Sequence, residues 1–178
     1  MIRKATLSDL PSIVNLFDEI HTAEEAGIIT TGWQRGVYPT EATARAALGR
    51  DDLFVMEEEN ENGQKEIIGS GVINQLQVDV YEGAPWEYPA PPEKVTVFHT
   101  LMISPKHLHK GYGSRFIAYY EQYARDHGCP YLRIDTNERN LNARALYKKL
   151  GYKEIAIVPT VFNGIAGVGL VLLEKYAG

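Results

Sequence analysis

The chain has 178 residues, of which 44% are hydrophobic and 23% are charged, and its formal net charge is −5. A chain of this length buries roughly 70% of its unfolded surface, so we expect a single domain over residues 1–178 that needs no disulfide. The acidic balance argues against a nucleic-acid partner. No apolar run reaches the ~18 residues of a membrane span and no signal peptide is visible, so a cytoplasmic protein without a membrane partner is expected.

The N-terminal half is predicted to contain two helices and a hairpin. The stretch "IRKA" reads as a short strand, and Ser8 is a predicted N-cap for the helix that follows. The apolar residues of that helix recur at helical spacing: Leu10, Ile13, Val14, Phe17 and Ile20. A second short helix, "TEATARAALG", is expected to end at Gly49. The strands "DLFVMEEE" and "KEIIGSGVINQLQV" flank Asn62-Gly63, a strong hairpin signal.

The second half alternates strands and helices. Residues 77–93 hold four prolines and three aromatics, which predicts a loop or lid. The following segments are a strand "KVTVFHTLMI", a glycine-rich turn, a helix "GSRFIAYYEQYARDHG", a strand "YLRIDT", a helix "NARALYKKLG" and the strands "YKEIAIV" and "GVGLVLLEK". The strand–helix–strand order over 94–136 predicts a parallel pair with a right-handed crossover. Hairpins elsewhere make the sheet mixed, so the fold class is α/β with mixed strands.

The turn "HLHKGYGSR" stands where a strand passes into a helix. A helix N-terminus presents free N–H groups and a partial positive charge, and phosphates bind there readily. Gly111 and Gly113 let the backbone approach an anion closely. Three cations stand nearby in the sequence: Lys106, Lys110 and Arg115. The turn is therefore predicted to hold a phosphorylated cofactor, with a plain strand-to-helix connection as the simpler alternative.

Two familiar phosphate-binding motifs fit this turn poorly. The P-loop pattern is absent because no Gly-Lys-Ser/Thr occurs. A dinucleotide fingerprint would use Gly111-x-Gly113 and the acid Asp135, but Phe116 occupies its third glycine position. Residues 104–110 also separate the strand from the glycines. Affinity for a nicotinamide dinucleotide would favour this second interpretation.

A second motif lies downstream and completes a resemblance. The stretch "NLNARALYKKLGY" starts at Asn140 and ends with Gly151-Tyr152. Together with the turn, it resembles the GNAT-type acyl-CoA N-acyltransferase superfamily, whose turn reads Gln/Arg-x-x-Gly-x-Gly/Ala and whose later helix reads Asn-x-x-Ala-x-x-x-Tyr. Leu108 stands where that family usually has Gln or Arg. The resemblance covers residues 94–155.

The resemblance implies a fold and a cofactor. The fold would be a central mixed, mostly antiparallel sheet with a splayed parallel pair and helices on both faces. The cofactor would be acetyl-CoA as acetyl donor, with no metal, since His107 and His109 lack a third ligand. The residues expected to bind the cofactor are Leu101, Met102, Ile103, Leu108, His109, Lys110, Gly111, Tyr112, Gly113, Ser114, Asn140 and Tyr147.

The resemblance also suggests catalytic residues. Tyr147 is the candidate general acid, two helical turns from Asn140 on the same face. Asp135, at a strand end, and His99, which titrates near neutral pH, are the candidate bases. The simpler alternatives are a core tyrosine, a helix-capping carboxylate and a strand histidine.

The acceptor is expected to be a small amine or an amino-acid-like molecule that directly attacks the thioester in a ternary complex. Two aromatic segments, "TTGWQRGVYPT" and "VYEGAPWEYPAPP", predict its walls, and Glu82 and Glu87 add carboxylates that suit an ammonium group. The predicted acceptor-binding residues are Trp33, Tyr38, Trp86 and Tyr88. Acetylation of protein amino termini or lysines, and acyl-CoA binding without catalysis, are the alternatives. Whether the chain forms a homodimer is left open.

Overall fold

The computed structural model describes residues 1–178 and contains one seven-stranded sheet with four helices. The strands are β1 (Ile2–Lys4), β2 (Leu53–Glu59), β3 (Lys65–Asn74), β4 (Val95–Ile103), β5 (Tyr131–Asn137), β6 (Lys153–Phe162) and β7 (Ile165–Tyr176). The helices are α1 (Leu10–Glu25), α2 (Glu41–Gly49), α3 (Tyr112–Asp126) and α4 (Leu141–Lys149). None of them is long and apolar enough to cross a membrane.

The sheet runs in the order β1-β2-β3-β4-β5-β7-β6. The β4–β5 pair is parallel, and every other neighbouring pair is antiparallel. This arrangement confirms the predicted mixed α/β class, and the segment order confirms the parallel pair around α3. Asn62 and Gly63 lie in the turn between β2 and β3, as the hairpin signal predicts.

Strand alternation divides the core between the two faces of the sheet. On β2, Leu53 and Val55 pack against α1 and α2, whereas Phe54 and Met56 belong to the core beneath α3 and α4. Side chains of successive strand residues point to opposite faces, so a run of four apolar residues supplies both cores. Helices cover both faces, as predicted.

Residues 77–93 cover the rest of the sheet face on which α1 and α2 pack. Tyr81 is buried in a third core against β4 and β7, and Trp86 lies over the Arg133 guanidinium, 3.9 Å from Cζ to the ring centroid. The buried Glu174 carboxylate accepts the backbone N–H of Glu87 at 2.6 Å. The predicted loop is therefore present, and its aromatic residues are fixed by packing and hydrogen bonds.

The start of the first helix differs from the prediction. A 3-10 turn at Leu7–Asp9 precedes α1, and Ser8 is not the N-cap. The Asp9 carboxylate accepts the Thr6 N–H at 2.7 Å and two N–H groups of Arg3 at 2.7 and 2.9 Å. An ionised carboxylate is a stronger acceptor than the Ser8 hydroxyl, and Arg3 holds it in place, so Thr6 and Asp9 together define this terminus.

The parallel pair separates before either strand ends. Pairing stops at Phe98 and Ile134, although β4 continues to Ile103 and β5 to Asn137. The predicted splay is therefore present. Just before this point the buried Tyr120 hydroxyl lies 2.6 Å from the Thr96 carbonyl and 3.2 Å from the Arg133 carbonyl, and so links α3 to both strands.

A bulge on β4 accounts for the separation. Ser70 of β3 pairs with Met102 and Val72 pairs with His99, so a single β3 residue lies opposite two residues of β4. One of these, Thr100, has φ +54°. A bulge of this kind bends its strand and increases the local twist, which here turns the end of β4 away from β5.

Candidate active site

The glycine turn exposes an unbroken row of backbone donors. None of the seven backbone N–H groups from Leu108 to Ser114 donates a hydrogen bond within the protein. His109 and Gly111 have φ of +61° and +82°, which turns successive amides inward in the manner of an anion-binding nest. The row ends at the N-terminus of α3, where the helix dipole adds positive potential. This geometry suits a phosphate.

Only part of the positive charge predicted for the turn is available. Lys106 forms an ion pair with Glu19, and Arg115 forms one with Glu58 at 2.7 Å. Lys110 is exposed and has no ion pair. Lys149, at the end of α4, is also exposed and lines the cavity next to the turn, although the sequence motifs did not single it out.

A cavity of about 400 Å³ runs from this turn to α4, and we call it the turn cavity. All of the residues predicted to bind the cofactor line it except Lys110. His107 also lines the turn cavity, and its Nδ1 is buried without a hydrogen-bond partner. An unpaired buried nitrogen and a row of unpaired amides both call for polar groups of a ligand.

The end of β4 contributes further unpaired donors to the turn cavity. The Ser104 N–H donates to the Ile68 carbonyl of β3 at 2.7 Å. Because N–H groups alternate sides along a strand, those of Leu101 and Ile103 point away from β3, into the gap that β5 has left. Both residues line the turn cavity. Their amides can therefore polarise a carbonyl or bind an extended polar chain.

A second cavity, of about 280 Å³, occupies the gap between the strands, and we call it the inner cavity. It is bordered by the β4 bulge, the end of β5, the segment between α1 and α2, and the β6–β7 turn. The two cavities share six wall residues: Thr31, Trp33, Leu101, Asn140, Ala143 and Tyr147. A molecule in each cavity would meet its partner at this common wall.

The segment between α1 and α2 lines both cavities. The Glu24 carboxylate accepts the N–H groups of Thr31 at 2.6 Å and Gly32 at 3.0 Å. A Cβ on Gly32 would lie 2.3 Å from the Asn137 side chain, so the segment closely approaches the end of β5. These contacts fix Trp33 in the common wall.

Asp135 lies at the end of β5, in the wall of the inner cavity. Its carboxylate accepts a hydrogen bond from the buried Tyr81 hydroxyl at 2.8 Å. Burial raises the pKa of Asp135 to about 6, and the Tyr81 hydrogen bond opposes this shift. A carboxylate with such a pKa changes protonation state close to neutral pH.

Tyr147 and Asn140 both lie in the common wall. Tyr147 is 5% exposed, and burial, with a smaller contribution from the Asp135 charge, raises its pKa above the ordinary value of 10.0. Its hydroxyl therefore keeps its proton at neutral pH. The Asn140 side chain caps α4 by accepting the Ala143 N–H at 3.2 Å, which leaves its amide N–H₂ as a donor.

His99 also lines the inner cavity, but its surroundings keep it neutral. Its Nε2 lies 3.1 Å from the Asn74 side-chain oxygen and 3.0 Å from the Leu76 carbonyl. Both neighbours only accept, so Nε2 carries the proton. Burial lowers the pKa of His99 to about 4, which makes it a weaker base than Asp135 at neutral pH.

Of the four aromatic residues predicted to bind the acceptor, two line the inner cavity. Trp33 and Tyr38 do so, with ring centroids 5.8 Å apart in an edge-on arrangement. Trp86 and Tyr88 lie outside both cavities because Trp86 covers Arg133 and Tyr88 stacks on Tyr176.

The two carboxylates predicted to bind the acceptor do not line either cavity, and two residues at the site had no sequence signal. Glu82 and Glu87 lie outside both cavities, and Glu87 forms an ion pair with Lys153. Tyr81, which hydrogen-bonds Asp135, and Arg50, which lines the inner cavity, were not singled out. Both depend on long-range packing, and no spacing pattern signals either residue.

Comparison with known proteins identifies the family. A sequence model of the acetyltransferase (GNAT) family matches residues 11–152. The chain belongs to this family of acetyltransferases. An uncharacterized N-acetyltransferase of Bacillus subtilis strain 168, YhfO, is 31% identical over 62 residues, and the match covers 35% of this chain and 42% of YhfO. The chain thus matches less than half of that relative.

Solved structures agree with this fold. An acetyltransferase of the GNAT family from Streptococcus agalactiae 2603 has a TM-score of 0.78 at 22% identity, over 99% of this chain and 94% of that chain. The protein yncA from Salmonella typhimurium, solved with its cofactor acetyl-CoA, has a TM-score of 0.67 at 15% identity, over 100% of this chain and 94% of that chain.

We predict that Asp135→Asn stabilises the fold at high pH. The folded-state pKa of about 6 exceeds the ordinary 3.8, so ionised Asp135 costs stability, and the wild type loses stability as pH rises from about 4 through 6. The variant should gain about 1–3 kcal/mol at pH 8, and the gain should vanish below pH ~4. Urea unfolding across this pH range measures it. Asp79→Asn, at an exposed position, should show no such pH dependence, and an equal gain at pH 3.5 and 8 would contradict the prediction.

Proposed function

We propose that this enzyme transfers an acetyl group from acetyl-CoA to the primary amine of a small molecule within a ternary complex. The observation that carries the proposal is the meeting of two cavities at one wall. The turn cavity has the unpaired amides and length that a cofactor with phosphates needs, and the inner cavity has a titratable carboxylate. Tyr147 stands in the wall between them.

The turn cavity fits acetyl-CoA. When bound, this cofactor would supply the acetyl group as a reactive thioester. The free amides of residues 108–114 would bind its diphosphate, with Lys110 and Lys149 adding charge nearby. Leu108 replaces the side chain that relatives use for this contact, but the row of backbone donors does not depend on side-chain identity. The amides of Leu101 and Ile103 would hold the extended arm and polarise the acyl carbonyl.

Proton transfer would use two groups with opposite properties. Asp135 has a pKa of about 6, so most of it is ionised above neutral pH and can accept the ammonium proton of the acceptor, directly or through water. Tyr147 is protonated at neutral pH, and its Oη would return this proton to the departing thiolate; the transfer depends on direct contact because the raised pKa makes the phenol a weak acid. His99 would take no part in proton transfer because burial lowers its pKa to about 4, which makes it a weak base, and its Nε2 donates to fixed acceptors.

The inner cavity supports a small acceptor. Its volume of about 280 Å³ is slightly below the usual range for sites that hold drug-sized ligands. Trp33 and Tyr38 narrow it on one side, and Phe162 and Ile165 of the β6–β7 hairpin border it on the other. A folded protein presenting a lysine or amino terminus would have to pass these walls, so we rank that alternative lower.

Thiol release tests the proposal. The purified enzyme with acetyl-CoA should release free thiol in the presence of some members of a panel of small primary amines, and not with peptides that present only a free amino terminus or lysine. Tyr147→Phe should reduce kcat by about 10²–10⁴-fold while its acetyl-CoA affinity, measured by calorimetry, stays within a few-fold of wild type. Full turnover by Tyr147→Phe at every pH would remove the acid role.

Tyr152→Phe is the matched control. Its ring centroid lies 6.0 Å from that of Tyr147, and its buried hydroxyl has no hydrogen-bond partner and lines neither cavity. This variant should retain wild-type kcat. An equal loss of turnover in both variants would point to a packing defect instead of a lost proton donor.

The pH dependence of turnover tests the base. In the wild type, kcat/KM should fall about tenfold per pH unit below about 6, because protonated Asp135 cannot accept a proton. Asp135→Asn should lower kcat/KM by about 10²–10⁴-fold at pH 7.5 and lose this acidic limb. An unchanged limb in Asp135→Asn, measured by thiol release from pH 5 to 9, would rule out Asp135 as the base.

A further inference from the structure

The charges of the inner cavity suggest which kind of amine it accepts. Besides Asp135, the wall contains one side chain with a permanent charge, Arg50, and no lysine or glutamate. His99 also lines the cavity, but burial lowers its pKa to about 4, so it is neutral at neutral pH. The cavity wall therefore contains one anion and one cation, whose charge is partly balanced by its ion pair with Asp52, and the neutral amides of Asn74, Asn137 and Gln77 also line it.

Arg50 is held in place by a carboxylate behind it. Its Nε donates to Asp52 Oδ2 at 2.8 Å and its Nη2 lies 3.3 Å from Asp52 Oδ1. Asp52 is itself fixed by the Asn74 side-chain N–H₂ at 2.8 Å, and it does not line the cavity. This arrangement occupies one edge of the guanidinium and leaves Nη1 without a protein acceptor. An oriented guanidinium with a free edge is the group that proteins use to bind a carboxylate.

The two charges lie on opposite sides of β4. Arg50 pairs with Asp52, which accepts a hydrogen bond from Asn74 at the end of β3, whereas Asp135 lies near the end of β5. Two strand spacings amount to about 10 Å, and both residues line the inner cavity. An acceptor whose ammonium group lies near Asp135, at the wall shared with the turn cavity, can therefore direct a second, anionic group towards Arg50.

We infer that the acceptor is a small amino carboxylic acid, whose carboxylate binds Arg50 while its amine lies near Asp135. This inference rests on the proposed function and narrows it. A lone amine would leave the free edge of Arg50, whose side chain is 44% exposed, to water, and a protein amino terminus or lysine has no free carboxylate at the matching position. Arg50 acts here as a specificity-determining residue and takes no part in proton transfer.

Matched acceptor pairs test the inference. The enzyme is assayed by thiol release with amino acids and their carboxamides, for example methionine with methioninamide and β-alanine with 3-aminopropionamide. For whichever pair is the better substrate, the wild type should show a kcat/KM about 10–100-fold higher with the amino acid than with its carboxamide. The difference should lie chiefly in KM, because a charge-assisted contact to the guanidinium is lost in the amide. Arg50→Gln should abolish this preference by slowing the acid while leaving the amide within a few-fold. Arg50→Lys should keep part of the preference.

Two controls separate recognition from folding. Arg45→Gln removes a cation from the same helix, where Arg45 pairs with Glu41 on the exposed surface, and it should leave the preference unchanged. Acetyl-CoA affinity and the circular dichroism spectrum of Arg50→Gln should match those of wild type. Because the comparison of acid with amide can be made in the wild type alone, a poorly folded variant would not hide the answer.

Each remaining outcome counts against one proposal or both. Turnover of amides as fast as of acids by the wild type would overturn the inference and leave the acetyl transfer itself in place. An equal loss on acids and amides in Arg50→Gln would also overturn it. Absence of thiol release with every amine and of acetyl-CoA binding would reject the proposed function and, with it, this inference.

Discussion

The separation of β4 from β5 after Phe98 and Ile134 is the constraint on which the site depends. Backbone amides in a sheet are normally consumed by the neighbouring strand, and leaving them unpaired is costly unless a ligand or water satisfies them. Here the β4 bulge, with Thr100 at positive φ, releases the amides of the last β4 residues. The same separation opens the inner cavity, so one local irregularity creates both the unpaired donors and the space between the strands.

The surrounding structure maintains this separation and gives the gap its electrostatic character. The Tyr120 hydroxyl links both strands below the gap, while Glu24 fixes the segment that crosses its mouth. Residues 77–93 contribute Tyr81, which hydrogen-bonds Asp135 in a setting where burial raises the carboxyl pKa. Stability is thus given up at Asp135 to obtain a group that titrates near neutral pH, a compromise typical of functional sites.

The local parts of this picture were predictable from the sequence, and the long-range parts were not. Periodicity, glycines and hairpin signals gave the elements and the turn, and two motifs gave the family. Ser8 as N-cap was wrong because Asp9, held in place by Arg3 of β1, and Thr6 form the caps instead. Trp86 and Tyr88 lie outside the cavities because a loop's composition does not reveal which face it covers. Arg50 went unnoticed because only the packing of α2 against β2 and α1 brings it to the cavity. The single domain and the cytoplasmic location stay predictions, and whether the chain forms a homodimer stays open.

Amide hydrogen exchange, followed residue by residue by NMR with and without acetyl-CoA, tests the central claim most directly. The unpaired amides of residues 108–114, together with those of Leu101 and Ile103, should exchange at least about tenfold more slowly when the cofactor is saturating, because each then gains a hydrogen-bond acceptor. The amides of β1, across the sheet, should be unaffected. Unchanged exchange at these positions in the presence of excess acetyl-CoA would contradict the account.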